Sequence, residues 1–171
     1  MTEQKSVLKT AVMVIAILLV VLVSILGYLN AKGQKLPEGQ IIIKAEDKII
    51  GKITREEVAK LPVVHKKMVI NSTRGLTKHN YSCTPLVEVF NHIDPQIVKK
   101  YKRVITRGVD NYISGVYMEE VREKNNVLLV YADNGKPLKS KTGYEGTMRI
   151  VIVNDLYGQR FTNYLVELEM E

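Results

Sequence analysis

Residues 126–138 read NVLLVYADNGKPL, and they decide the fold class. An apolar run of strand length stops at Asn134-Gly135, a pair that tolerates the positive φ angles a tight primed turn demands. A strand on each side of that turn is a β-hairpin. Towards the C-terminus, KTGYEG is a glycine-spaced loop and TMRIVIVN a strand, and Leu165, Val166, Leu168 and Met170 mark a closing strand. Towards the N-terminus, KRVITRGVDNYISGVYM supplies one or two strands that bend at Asp110-Asn111, with a short helix over 118–123.

Further upstream, Thr84-Pro85 reads as an N-cap followed by the first helical position, and Leu86, Val87, Val89, Phe90 and Ile93 sit mostly at helical spacing. Asp94-Pro95 repeats the start signal for a second brief helix. VVHKKMVIN reads as a strand that ends in a polar loop, STRGLTKHN. Thr54 and Glu57 have the spacing of a capping box for a helix over 55–60, stopped before Pro62. IIIKAEDKIIGKI opens the domain as two short strands around a polar turn at 45–48. Strands interleaved with short helices, without repeats, make an α+β domain of mixed β-sheets over residues 41–171.

The segment before that domain is of another kind. Between Lys9 and Lys32 lie 22 uncharged residues, and at 1.5 Å per residue this run is about 33 Å of helix, enough for a hydrocarbon core of about 30 Å. We expect a transmembrane helix over 10–31, a cytoplasmic stub over 1–9 and a tether over 32–40. A cleaved secretory signal has a shorter apolar core and small residues before the cut, whereas Leu29 is bulky at the one nearby candidate site, Leu29-Asn30-Ala31. Lys5 and Lys9 balance Lys32 and Lys35, so local charge does not set the orientation. The short stub and long C-terminal domain are the pattern of a single-pass signal anchor at the cell membrane with an extracytoplasmic domain.

Composition excludes several classes. The formal charge is +7, but residues 1–35 hold four Lys against one acidic residue, which leaves 21 basic and 17 acidic side chains in the remainder. That excess is too diffuse for nucleic acid and suits a domain beside an anionic membrane. The lone Cys83 excludes an intramolecular disulfide, and His65, His79 and His92 lack the spacing of a zinc site, so no metal site is expected. No phosphate loop, triad or paired-carboxylate motif stands out, and no catalytic residue is assigned.

The C-terminal block resembles the molybdopterin-binding domain of the sulfite-oxidase-like oxidoreductases. The matching residues are Gly143, Gly146, Met148, Arg149, the strand 150–153, Tyr157-Gly158, Arg160-Phe161 and the strand 165–170. NVLLVYADNGKPL is similar to the family's strand and turn, Asp110-Asn111-Tyr112 to its Asp-Gly-Tyr, and YSCTPLVEVF to its Tyr-x-Gly-x-Pro-Leu helix start. The resemblance implies the sulfite-oxidase-like molybdopterin-binding fold. It also implies a molybdopterin-type cofactor, with Arg149 as a phosphate contact and Ser72 and Arg74 in the loop where the site lies. In catalytic members a Cys thiolate at the end of an early strand ligates molybdenum. The corresponding stretch here, residues 70–73, reads INST and has no thiol. Gly-Pro has become Gly146-Thr147, and the usual Trp is Phe161. The expectation is therefore a family member without molybdenum, binding a molybdopterin-type cofactor or serving as a noncatalytic binding or interaction module for an envelope partner.

The individual residues also have plainer readings. A lone Cys between Tyr and Thr-Pro, as Cys83 is, is more often a small buried hydrophobe than a reactive thiol or metal ligand. Arg149 fits the solvent side of an alternating strand, and His65 fits a structural place in one. Lys99, Lys100, Lys102, Arg103 and Arg107 read as a solvated helix end running into a strand, and Glu119-Glu120 as the polar face of a short helix.

Overall fold

The computed structural model describes residues 2–31, 38–72 and 75–171, with side chains over 12–28, 38–70 and 75–171. Two units divide the chain, 1–35 and 36–171. In the first, helix α1 (Thr2–Ala31) takes in the expected stub as well as the apolar run. Its large hydrophobic side chains over 12–28 are all exposed. Among the described residues no helix is long and apolar enough to cross a membrane. The tether expected over 32–40 falls mainly on residues outside the described ones, and Gln40 already belongs to the first strand.

The second unit is built on two sheets. One has the order β2 (Lys48–Thr54), β1 (Gln40–Ala45), β11 (Leu165–Met170), β5 (Arg103–Gly108), β6 (Ile113–Tyr117). β1 and β11 run parallel, Ile42 beside Glu167 and Ala45 beside Met170, so the two ends of the domain meet in one sheet. The other has the order β3 (Val64–Ser72), β4 (Gly75–Pro85), β7 (Val127–Asp133), β8 (Lys136–Lys139), β9 (Glu145–Thr147), with β10 (Arg149–Ile152) also on β7. β7 is buried from Val127 to Ala132 because it is central, which explains why its sequence is a continuous apolar run and not an alternation. The helices α2 (Arg55–Val58), α3 (Leu86–Ile93), α4 (Ile97–Lys100) and α5 (Met118–Arg122) are short. Leu86, Val89 and Phe90 of α3 join Ile41, Ile43, Leu128 and Ile150 in one apolar core.

Local chemistry accounts for most element ends. Asn134 and Gly135 have φ of 50° and 76°, which is the primed turn between β7 and β8. The Glu57 amide donates to Thr54 Oγ1 at 3.3 Å and the Thr54 amide to Glu57 Oε2 at 2.7 Å, so the capping box forms. Three expectations need correction. Most of STRGLTKHN is strand and not loop, since β4 begins at Gly75 and residues 75–83 pair with β3, Val64 beside Cys83 and Ile70 beside Thr77. Thr84 and Pro85 finish β4, and α3 begins at Leu86; the Thr84 hydroxyl donates to the Val58 carbonyl at 3.2 Å and caps no helix. Asp94 ends α3, and α4 starts only at Ile97, with Asp94 Oδ1 taking the Gln96 amide at 2.8 Å.

Candidate functional site

The antiparallel pairing of β5 with β11 places Leu165 beside Gly108. Asn163 and Tyr164 therefore lie against the bend that follows β5, and the Val109 amide donates to the Tyr164 carbonyl at 2.8 Å. Gly108 is required there, because a Cβ would come within 2.5 Å of the Asn163 carbonyl oxygen and 2.7 Å of Asp110 Oδ1. Asn111, at φ 62°, turns the chain so that the Tyr112 hydroxyl donates to the Gln159 carbonyl in the 3-10 turn Gly158–Arg160.

These segments enclose an open cavity of about 420 Å³ lined by Asp110, Tyr112, Gly158, Gln159, Phe161 and Asn163. Phe161 in this lining is buried, and the polar groups of the lining are the Asp110 carboxylate, the Tyr112 phenol and the Gln159 and Asn163 amides. Asp110 Oδ2 takes Lys141 Nζ at 3.2 Å from the glycine loop. One wall is clamped from behind by Arg160, whose Nη1 and Nη2 donate to Glu120 at 3.0 and 2.8 Å and whose Nε donates to Asp155 at 3.0 Å. The Arg160 hydrogen bond holds the Glu120 carboxyl below the usual carboxylate range. Glu120 is thus more than the polar face of a helix. The cavity offers hydrogen bonds, the Asp110 carboxylate and two aromatic side chains, and its lining has no thiol or imidazole.

Arg149 stands elsewhere. Its Nη1 donates to the Tyr81 hydroxyl at 2.9 Å and its guanidinium lies over the Tyr81 ring, 5.6 Å from the centroid. Burial pushes the Tyr81 hydroxyl up against the opposing pull of Arg149. Tyr81 stacks on His79, 4.9 Å between centroids, and His79 Nδ1 meets Asp133 Oδ2 at 2.6 Å. Arg149 Nε and Thr147 Oγ1, two residues apart in the chain, are buried with no hydrogen-bond partner among the described residues. Arg74 and the side chain of Ser72 lie outside the described residues. Arg149 is absent from the cavity lining, so the cavity and the Tyr81 contact are separate features.

Cys83 is fully buried, and its Sγ donates to the Val64 carbonyl at 3.0 Å. Burial pushes the thiol up to about 12. Among the described residues no three His, Cys, Asp or Glu side chains stand together for a metal ion. His65 is exposed in β3, with Nδ1 3.4 Å from the Ser82 hydroxyl. In the basic cluster, Lys100, Arg103 and Arg107 are ion-paired with Glu46, Glu171 and Glu167.

The motifs Asp-Asn-Tyr, Tyr-Gly and Arg-Phe, scattered between residues 110 and 161, converge on this architecture. The family model for the oxidoreductase molybdopterin binding domain matches residues 54–171, and the chain belongs to that family. No curated protein matches it. Among solved structures it is similar to the sulfane dehydrogenase SoxCD from Paracoccus pantotrophus, at 17% identity with a TM-score of 0.60. The likeness covers 80% of this chain and 39% of that one, and it shows a shared fold.

Proposed function

We propose that this chain is a membrane-anchored, extracytoplasmic member of the family that works as a noncatalytic binding module without molybdenum. The observation that carries this reading is the place of Cys83. A molybdenum centre of the family's kind needs a thiolate at the end of the early strand, which is the Ser72 end of β3. Cys83 pairs with Val64, eight residues back along β3, which at about 3.3 Å per residue is about 26 Å away. Its thiol is buried, protonated and committed to a carbonyl, so the donor set does not fit molybdenum. The polar cavity at Tyr112 and Gln159 then serves recognition of a ligand or an envelope partner.

The anchor rests on the 22 uncharged residues and on Ser24, whose hydroxyl donates back to the Val20 carbonyl at 2.7 Å, as a hydroxyl facing lipid must. Full-length protein should stay with membranes after alkaline carbonate washing, and external protease should remove the domain from intact protoplasts. A soluble product or a protected domain would refute the anchor or its orientation.

One observation favours a second reading. The unpartnered Arg149 Nε and Thr147 Oγ1 are donors suited to an anionic group, so a metal-free pterin phosphate is the alternative ligand. Protein purified from a host that makes the cofactor should release no pterin on denaturation, as read by fluorescence after oxidation. One pterin per chain, lost in Arg149→Ala, would replace the first reading by the second.

A further inference from the structure

The β3–β4 ribbon outruns the sheet it belongs to. β7 pairs with β4 only over Tyr81–Pro85, so, among the described residues, 76–79 have a strand partner on one side alone. The register and the two-residue period put His65, Lys67, Val69, Leu76, Lys78 and Asn80 on one face. Met68 and Ile70, on the opposite face, pack against the core, so the first face is the free one. There Val69 is 59% and Leu76 72% exposed. Lys67 and Lys78 flank them, and among the described residues neither is in an ion pair. A shallow cavity of about 330 Å³ lies at the ribbon, lined by Lys67, Val69, Lys78 and Asn80 of this face, by Met68 and His79 of the other, and by Asn134.

We infer that this ribbon face docks on an anionic lipid surface. The ammonium groups of Lys67 and Lys78 pair with headgroup phosphates while Val69 and Leu76 enter the interfacial layer, the division of labour of a basic amphipathic element. Lysines alone would be explained as protection of a sheet edge, but the protruding valine and leucine work against that purpose. Eight residues separate Ala31 from Gln40, a reach of no more than about 30 Å. With α1 in the bilayer the domain stays beside the headgroups, and a weak affinity is then sufficient. On that point alone the inference rests on the anchored reading.

The test uses the domain 36–171, whose core is complete without α1. It should sediment with vesicles of phosphatidylcholine mixed with phosphatidylserine, much less with phosphatidylcholine alone, and high salt should release it. The pair Lys67→Glu and Lys78→Glu should lower its partitioning by about tenfold or more, and Val69→Ser with Leu76→Ser should lower it with charge unchanged, each with circular dichroism unaltered. Equal binding to both vesicles, or binding indifferent to the four substitutions, would overturn the inference. So would self-association in solution that the same substitutions abolish, which would give the face to a second copy. Failure of the full chain to stay with washed membranes would count against the anchor and leave the vesicle result standing.

Discussion

Cys83 is buried with its thiol on the Val64 carbonyl, and Gly108 is packed where no Cβ fits. The folded thiol is held up to about 12 against an ordinary value of 9.0, so the folded state keeps a proton that the unfolded chain releases. This contribution is present in full below about pH 9 and is lost as pH rises from there towards about 12. Cys83→Ser should therefore show a shallower loss of urea stability above pH 9 than the native chain, at a cost of about 1 kcal/mol at neutral pH. Rapid alkylation of Cys83 in folded protein at pH 8 would contradict the buried, protonated thiol. Gly108→Ala sets a methyl against the Asn163 carbonyl, and the bend must move. The expected cost is about 2 kcal/mol in denaturant unfolding, with altered amide shifts at Tyr112 and Gln159. The need for glycine at 108 was not legible in the sequence, because its main cause is the backbone carbonyl of Asn163, a residue distant in sequence. Arg149 was legible as a residue of note, but its partner Tyr81 belongs to a strand that the sequence does not place beside it.

At the scale of elements, the legible parts are those whose causes are local. The capping box at Thr54 and the turn at Asn134-Gly135 form as their residues dictate. The first half of β4 hid itself, since GLTKHN has neither a long apolar alternation nor a core to face, and pairing with β3 makes it a strand. The parallel pairing of β1 with β11 was equally invisible, yet it organises one sheet. Its centre is Glu167, with Lys44 Nζ at 2.5 Å and Arg107 Nε at 3.0 Å across the flanking strands. Burial pushes the Glu167 carboxyl up, and the hydrogen bonds of Lys44 and Arg107 outweigh it, so the net shift is below 4.5. The stabilisation is then present above about pH 4.5 and is lost as pH falls through the lower folded value. Glu167→Gln should cost about 2 kcal/mol at neutral pH and flatten the acid side of the stability profile. An unchanged acid limb in that variant would remove Glu167 from the account.

For the whole molecule, the sequence separated the apolar segment from the domain and placed the domain's fold class, because long apolar runs and strand-turn patterns announce themselves. The cavity was not legible as a site, since its lining residues come from two bends that only the β5–β11 pairing joins. The fold is that of a cofactor family, and the proposal that this chain holds none of the family's metal rests on the position of the lone thiol. Elemental analysis is the most direct test of this claim. Full-length protein purified from a molybdenum-replete host that makes the cofactor should hold close to zero molybdenum per chain, and Cys83→Ser should hold the same. About one molybdenum per chain, retained through gel filtration, would contradict the account and return the protein to the catalytic members of its family.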